Sequence, residues 1–467
     1  MGAILFITLV VAPAPSGLGD AEWSVVAIGV LMVVWWVTEA IPLAATALVP
    51  VVFLPLLGVK QIDEAAQPYA HPLIILFLGG FLIAKALEKW ELHRRIASIL
   101  MRIGPGGPAG LIGSLMAATA FLSMWISNTA TAMVMVPIAQ SIIQSLRQKD
   151  VPVRGLNEFA AALMLAIAFS ATIGGMATLI GTPPNALLAG YMQSSHGINI
   201  GFGTWMMLGL PVALVLLPMT WLILTRLLFD VGQIDKGATR DLLNNAPTMS
   251  EGLPLGARLT AGVVTLAAIA LVLRPFLQNL LPSVPLSDAG IAMGAALLLF
   301  AIPAGDGGKL LDWNQAQTIR WDVLILFGGG LALAAAIDDS GISLALGNLF
   351  SSFGTLPLPL VILLTMAAIV LIGELASNTA MAAVFLPIAG ATAVGLGSAP
   401  LDLVLPVGLA ASLGFMLPVA TPPNAIAYGS GEVSSQQMLK AGAVLDVISI
   451  LVVYTIAVTI GRWVFAI

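Results

Sequence analysis

The sequence predicts an all-α polytopic membrane protein with about eleven membrane-spanning helices and two re-entrant helical hairpins of opposite orientation. Of its 467 residues, 59% are hydrophobic and only 9% are charged, whereas soluble proteins have roughly 25% charged residues. Apolar runs close to the length of a spanning helix, about 20 residues, recur along the chain. Two segments 250 residues apart also carry almost the same motif. These observations together predict one membrane domain built from two repeats.

The predicted spans are apolar runs that begin and end at charges, prolines or glycines. They lie near residues 3–14, 23–38, 42–58, 72–88, 159–192, 205–226, 258–280, 287–303, 321–338, 401–428 and 441–466. Two further apolar segments, 109–146 and 355–395, are about twice as long as one span. A polar motif interrupts each of them near its middle. We therefore expect these two segments to be the re-entrant hairpins.

Two pairs of motifs define the internal repeat. The stretch SNTATAMVMVPIA begins at Ser127 and SNTAMAAVFLPIA begins at Ser377, and the two agree at nine of thirteen positions. The motif TPPNA begins at Thr182 and again at Thr421. At the offset of the first pair, ILFLGGFLIAKALE also matches ILFGGGLALAAAID from Ile325. The sequence therefore predicts a repeated unit that contains one interrupted hairpin and one interrupted span.

The repeats are predicted to cover residues 1–230 and 257–467, joined by a polar linker at 231–256. Two consecutive prolines interrupt a helix, so the spans at 159–192 and 401–428 are expected to be unwound at mid-membrane.

The distribution of basic residues predicts how the chain lies in the membrane. A cytoplasmic N-terminus places all of the 18 Lys and Arg residues inside except Lys60, Arg274 and Arg462, as the positive-inside rule requires. Basic residues such as Arg147 flank the first hairpin, and acidic residues such as Asp402 flank the second. The two hairpins are therefore expected to open to opposite sides, as inverted repeats do. We expect the plasma (inner) membrane, with the C-terminus outside.

The repeated motifs have a specific chemistry. Ser-Asn-Thr triplets favour helix starts, because their side chains bond to nearby backbone groups. The helix that follows presents free N–H groups and its positive dipole end, which bind anions without a cationic side chain. The proline pairs free carbonyl oxygens at Gly181 and Ala420 and hydroxyl oxygens at Thr182 and Thr421. Such oxygens suit a small hard cation.

Several other functions are weighed against this interpretation. Helix packing accounts for one polar triplet or one proline pair, but not for two of each in matched order. Glu374, three residues before the second triplet, is the one plausible proton carrier beside a motif. The sequence has no P-loop, no G-x-S-x-G, no H-E-x-x-H and no basic patch with interleaved aromatics. ATP-driven transport, enzymatic activity and nucleic-acid binding are therefore not expected.

In these residues the chain resembles the divalent anion-sodium symporter family, the INDY-type carriers of dicarboxylates, citrate and sulfate. The paired SNT and TPPN motifs and the closing segment TPPNAIAYGSGEVSSQQMLKAG carry the resemblance, which covers nearly the whole chain. It implies a homodimer in the lipid bilayer whose transport domain moves like an elevator against a scaffold. The scaffold would comprise residues 1–90 and 257–340, and the hairpin and transport parts 104–230 and 355–467.

The resemblance also implies which residues bind. The substrate carboxylates would be held by Ser127, Asn128, Thr129, Thr182, Pro183, Ser377, Asn378, Thr379, Thr421 and Pro422. A first sodium ion would be bound by Ser123, Ser127, Asn128 and the Gly181 backbone. A second would be bound by Ala376, Asn378 and the Ala420 backbone, together with position 373. Similar sodium-coupled proteins usually have a hydroxyl residue at that position, where this chain has Gly373.

Cation coupling has separate physical support. No Lys or Arg lies within several residues of any motif, so a dianion is expected to meet only dipoles and neutral donors, and co-bound cations would offset its desolvation. The sequence-based hypothesis is Na+ symport of a C4-dicarboxylate such as succinate, malate or fumarate. An obligate dicarboxylate exchanger is the closest competing hypothesis, and Gly373 favours it somewhat. A citrate or sulfate carrier, an anion channel and a membrane enzyme are less favoured functions.

Overall fold

A computed structural model describes residues 2–15, 18–103, 106–148, 153–234, 252–305, 307–342 and 356–465. Within these ranges the regular elements are helices, and the one β-bridge pairs Pro303 with Lys309. Most of the predicted linker at 231–256 lies outside the described residues. The same is true of Lys149, Lys236 and Arg240, which contribute to the predicted orientation.

The first half of the chain forms twelve α-helices within the described ranges, and a π-helical stretch extends the last of them to Leu228. They are α1 (Gly2–Val11), α2 (Asp20–Thr38), α3 (Leu43–Thr46), α4 (Val49–Leu56), α5 (Ile62–Ala66), α6 (Pro72–Lys89), α7 (Leu92–Ile103), α8 (Pro108–Ser123), α9 (Asn128–Arg147), α10 (Val153–Met176), α11 (Pro183–His196) and α12 (Phe202–Leu222).

The described part of the second half is built in the same way, with a π-helical stretch at Ala457–Gly461 near its end. Its helices are α13 (Leu255–Leu280), α14 (Asp288–Ala301), α15 (Trp313–Ala316), α16 (Trp321–Asp339), α17 (Leu358–Gly373), α18 (Asn378–Gly395), α19 (Pro400–Ala410), α20 (Pro422–Gly429), α21 (Ser435–Ile456) and α22 (Arg462–Phe465).

The lengths of these helices fit a multi-pass membrane protein. In the described ranges, 8 helices are long and apolar enough to cross a membrane, or 9 if the bent pair Ile62–Ala70 and Pro72–Lys89 forms one span. The shorter apolar helices lie at the positions of the other predicted spans, or form one half of a span or hairpin segment that a motif interrupts. The all-helical membrane fold is thus confirmed, whereas eleven spans and re-entrant hairpins remain predictions.

Each Ser-Asn-Thr triplet lies where one helix ends and the next begins. In the first hairpin segment, α8 ends at Ser123 and α9 begins at Asn128. In the second, α17 ends at Gly373 and α18 begins at Asn378. The helix bounds therefore correspond at the same offset of 250 as the motifs.

The two proline pairs lie at the ends of longer interruptions. The first break, residues 177–182, separates α10 from α11, which begins at Pro183. The second break, residues 411–421, separates α19 from α20, which begins at Pro422. Proline fits the first position of a helix, because the N–H that it lacks would have no partner inside the helix. Each proline pair therefore marks the end of a break and the start of the helix that follows it.

Helix α10 forms the centre of the first half, since every residue from 159 to 176 is buried. It packs against α8, α9, α12 and α20. Gly174 allows α8 to come close: a Cβ added there would lie 2.3 Å from the Ala120 carbonyl oxygen. Small residues at such crossings let helix backbones approach directly in membrane proteins. The first hairpin is therefore packed tightly against the helix that leads into the first break.

Gly174→Ala tests this packing. The new methyl group overlaps the backbone of Ala120, so α8 must move away, and we expect a loss of about 1–3 kcal/mol in stability. The thermal unfolding midpoint of the purified protein in detergent measures this. Gly262→Ala is the matched control, because a Cβ at Gly262 meets no atom within 4 Å. Equal midpoints for the two variants would contradict the close approach.

Candidate functional site

A cavity of about 740 Å³ has both Ser-Asn-Thr triplets and both TPPN motifs on its wall. Every residue predicted to bind substrate lines it: Ser127, Asn128, Thr129, Thr182, Pro183, Ser377, Asn378, Thr379, Thr421 and Pro422. Among the predicted cation ligands, Gly181, Ala376 and Ala420 also line it, whereas Ser123 and Gly373 end helices behind the wall. The structure thus brings the motifs together, and the roles of their residues remain predictions.

Four helices begin at this cavity. The residues that cap their N-termini all line its wall, namely Ser127 of α9, Thr182 of α11, Ser377 of α18 and Thr421 of α20. The Ser127 Oγ accepts a hydrogen bond from the Ala130 N–H at 3.3 Å. The Thr421 Oγ1 accepts one from the Asn424 N–H at 3.3 Å. Each N-terminus carries about half a positive charge, so the cavity has four positive dipole ends around it.

The asparagine of each TPPN motif donates hydrogen bonds to the backbone of the break that precedes it. Both side chains are fully buried. Asn185 Nδ2 donates to the Thr178 carbonyl at 2.7 Å, and Asn424 Nδ2 donates to the Leu417 carbonyl at 3.0 Å. These bonds satisfy backbone groups that an interrupted helix leaves free. Sequence reasoning assigned no role to these asparagines, although their recurrence at the fourth position of both motifs was a signal.

Oxygen atoms converge behind the first triplet, and we name Ser123 Oγ, Asn128 Oδ1 and the carbonyl oxygens of Ala171 and Gly181 the first oxygen cluster. Ser123, which is fully buried, places its Oγ 2.7 Å from Asn128 Oδ1 and 2.6 Å from the Ala171 oxygen. Asn128 Oδ1 also lies 3.2 Å from the Ala171 and Gly181 oxygens. Without a cation, a rotated amide would instead donate its N–H groups to them. The cluster fits a small cation that prefers oxygen ligands.

The corresponding region of the second repeat is not the same. Asn378 Nδ2 donates to the Ser412 carbonyl at 3.4 Å. Asn378 Oδ1 and the hydroxyl of Ser412 are buried and have no hydrogen-bond partner among the described residues. Gly373 contributes no side chain, and a Cβ added there would have no atom closer than 4.0 Å. The two halves of the site therefore differ in where their hydroxyl oxygens come from.

Glu374 connects the second hairpin to the second break. Its side chain is only 2% exposed. Its two carboxylate oxygens accept hydrogen bonds from the N–H groups of Met416 at 3.0 Å and Leu417 at 2.8 Å. The carboxyl group of Asp446, from α21, lies against it. Glu374 thus ties backbone inside the break, a role that its sequence position alone did not indicate.

The cavity wall also carries charge that the motifs do not predict. Arg320, at the start of α16, lines the cavity and forms an ion pair with Asp322 at 2.7 Å. Glu39, at the end of α2, lines it as well. The expectation that an anion would meet only dipoles and neutral donors is therefore wrong for this wall. Arg320 is distant in sequence from every motif, so its place in the cavity depends on the tertiary fold.

The chain matches a family model and curated relatives over nearly all of its length. The model described as the sodium:sulfate symporter transmembrane region matches residues 1–467. The sodium-dependent dicarboxylate transporter SdcS of Staphylococcus saprophyticus is 38% identical over 462 residues, which cover 97% of this chain and 89% of that protein. The protein of the same name from Staphylococcus aureus strain USA300 is 38% identical over 467 residues, with the same coverage.

Two solved structures share the fold at low sequence identity. The crystal structure of the Alcanivorax borkumensis YdaH transporter aligns with a TM-score of 0.59 at 14% identity, over 93% of this chain and 98% of that one. The structure of Neisseria gonorrhoeae MtrF aligns with a TM-score of 0.58 at 14% identity, over 97% of this chain and 96% of that one. At this identity the similarity concerns the fold alone.

The family match and the curated relatives also distinguish a transporter from an enzyme. The proteins of this family and both relatives are transporters and not enzymes, which confirms the expectation from the sequence that the chain is not an enzyme. The match over the full length and the 38% identity over 97% of the chain confirm the resemblance carried by the SNT and TPPN pairs. The chain is therefore a member of the sodium:sulfate symporter family, which is the divalent anion-sodium symporter family.

Proposed function

We propose that the chain is a secondary transporter that carries a C4-dicarboxylate together with Na+. One observation carries the proposal: four helix N-termini and both Ser-Asn-Thr triplets surround one cavity, with an oxygen cluster directly behind it. The relatives at 38% identity are named sodium-dependent dicarboxylate transporters, which favours a dicarboxylate over sulfate or citrate. Succinate, malate and fumarate are the substrates that we expect.

The helix ends supply the anion site. Free N–H groups and positive dipole ends stabilise a carboxylate at a helix N-terminus. Helix α9 of the first repeat and α18 of the second offer both, whereas α11 and α20 begin with two prolines and offer the dipole alone, so each half can hold one carboxylate of a dianion. Arg320 adds a guanidinium, the group best suited to bidentate carboxylate binding. Its ion pair with Asp322 already satisfies part of that charge, so the dipole ends remain the main donors.

The amide of Asn128 provides a direct link between cation and anion. The amide orientation that satisfies its hydrogen bonds points Nδ2 at the oxygens of Ser123, Ala171 and Gly181, and the opposite orientation turns Oδ1 to them and the two N–H donors away. A cation in the cluster holds the oxygen inward and leaves the N–H groups for a carboxylate in the cavity. Without the cation, the rotated amide donates to the cluster instead. Cation binding thereby prepares the site for the anion, which is the requirement for coupled transport.

The proposal includes an arrangement in the membrane. The hairpins α8–α9 and α17–α18 enter from opposite sides, with the N-terminus in the cytoplasm of the plasma (inner) membrane and the C-terminus outside. Tight packing of α8 on α10 through Gly174 supports movement of the hairpin and the first break as one body. Such a body can move as an elevator within a homodimer, so that the cavity opens first to one side and then to the other.

An obligate dicarboxylate exchanger is the second candidate. It is favoured by the absence of a side-chain hydroxyl at Gly373, where the first repeat has Ser123 beside its asparagine. An exchanger uses the same anion site but requires a second dicarboxylate, and not a sodium gradient, for its return step.

Uptake into proteoliposomes distinguishes these candidates. We expect labelled succinate to accumulate in empty vesicles when Na+ is present outside, and uptake to cease when choline replaces Na+ on both sides. The physical reason is that a buried dianion needs co-bound cations to offset its desolvation. Uptake that is the same in choline would refute sodium coupling. Uptake restricted to vesicles preloaded with a dicarboxylate, with no sodium requirement, would establish the exchanger.

Asn128→Ala and Asn378→Ala are each expected to abolish measurable succinate uptake. Each substitution removes an amide that lines the cavity, and one hydrogen bond to a charged group contributes about 1.5–3 kcal/mol. Asn157→Ala, at an exposed position of α10, serves as the control. Size-exclusion profiles and thermal midpoints of all variants show whether folding is intact. Full uptake in either cavity variant would remove the proposed anion site.

Glu374→Gln is expected to weaken the second break. An amide keeps one acceptor oxygen but cannot accept from both the Met416 and the Leu417 N–H groups, and one unsatisfied buried donor costs about 1–3 kcal/mol. The thermal midpoint should fall, and the KM for succinate should rise more than the maximal rate falls. Glu91→Gln, at an exposed position, is the control. An unchanged midpoint and KM would show that Glu374 does not position the break.

A further inference from the structure

The two asparagines of the triplets each lie beside a backbone carbonyl oxygen, but only Asn128 also lies beside a hydroxyl group of its own hairpin. Asn128 lies beside the Ala171 carbonyl of α10 and the Ser123 hydroxyl at the end of α8. Asn378 lies beside the Ser412 carbonyl, in the second break just after α19. The hairpin position equivalent to Ser123 is Gly373. In the first repeat the hairpin residue Ser123 has the hydroxyl and the carbonyl beside the asparagine belongs to Ala171. In the second repeat the hairpin residue is Gly373 and the carbonyl belongs to Ser412, which has a hydroxyl.

The Ser412 hydroxyl has no structural role that accounts for it. Ser412 is 1% exposed, and its Oγ has no hydrogen-bond partner within the described ranges. The Oδ1 of Asn378, the residue that contacts its carbonyl, is also without one in those ranges. Buried polar atoms without partners are rare and costly. Two of them on contacting residues indicate a ligand that interacts with oxygen atoms.

We propose that Ser412 is a ligand of the second sodium ion and replaces the hydroxyl that Gly373 does not supply. This inference rests on the proposed sodium-coupled function and assigns a residue to it. Sodium is a hard cation that takes several oxygen ligands, for which hydroxyl, amide and carbonyl oxygens are suitable. Ser412 Oγ, Asn378 Oδ1 and the backbone of Ala376 and Ala420 form such a set.

The space at Gly373 provides a way to test the exchange of hydroxyl groups. A Cβ at this position would lie 4.0 Å from the carbonyl oxygen of Leu413, the residue after Ser412, and 4.0 Å from Met381 Cγ. The Cβ of a serine therefore fits there without displacing its neighbours. Gly373→Ser would place a hydroxyl on the hairpin side of Asn378, as Ser123 does beside Asn128.

The experiment measures sodium binding without transport. Purified protein in detergent is titrated with NaCl at constant ionic strength against choline chloride, and the thermal unfolding midpoint is followed. The variants are Ser412→Ala, Gly373→Ser and the two combined. Ser449→Ala is the matched control, because it removes a fully buried hydroxyl that lies outside both breaks and both triplets. The sodium dependence of succinate uptake is measured for the same set.

Ser412→Ala is expected to raise the half-saturating sodium concentration about tenfold, the lower end of the loss typical when a metal site loses a supporting group. The double variant should recover most of this loss, and Ser449→Ala should titrate like the wild type. An unchanged titration for Ser412→Ala would overturn the assignment. A loss that Gly373→Ser does not relieve would also overturn it, because the effect would then come from packing. A wild-type protein with no sodium response would instead refute the proposed function.

Discussion

The site depends on one constraint, namely that backbone polar groups inside an apolar environment must find partners. The chain interrupts helices at four places around a single cavity and must therefore satisfy the freed groups locally. Asn185, Asn424 and Glu374 do this with buried side chains that bond to backbone in the breaks. The first N–H groups of α9 and α18 face the cavity without such a tie, and these are the groups that the proposed function assigns to the anion.

The same interruptions produce both signs of partial charge. Helices α9 and α18 present N–H groups at the cavity, while the break before α11 presents carbonyl oxygens such as that of Gly181. Under the proposed function, a site built in this way holds an anion and a cation side by side with few ionised side chains. A lysine in the same place would attract the anion permanently. A mobile cation neutralises the anion while both are bound and then leaves with it, so that the empty site returns to its starting charge.

The sequence predicted the parts of this site that are local. Helix starts at the triplets and the breaks before the proline pairs follow from the propensities of Ser, Asn and Pro, and the structure places them together. It did not predict Arg320, Ala171 or Ser412, because these residues reach the site through packing between segments that are far apart in the chain. The count of eleven spans remains a prediction, since several apolar helices are shorter than a full crossing.

The polar ties described above all run within one repeat. Ser123 and Asn128 contact only first-repeat oxygens in the first cluster, and Glu374 and Asn424 bond to the second break. The gap between the halves is set by other contacts, namely helix packing such as that of α10 against α20 and ion pairs between the repeats such as Arg147–Glu432 at 2.7 Å. Substitutions in that packing can widen or narrow the cavity while leaving the cation oxygens in place. Anion size and ion coupling can thus evolve separately within one architecture.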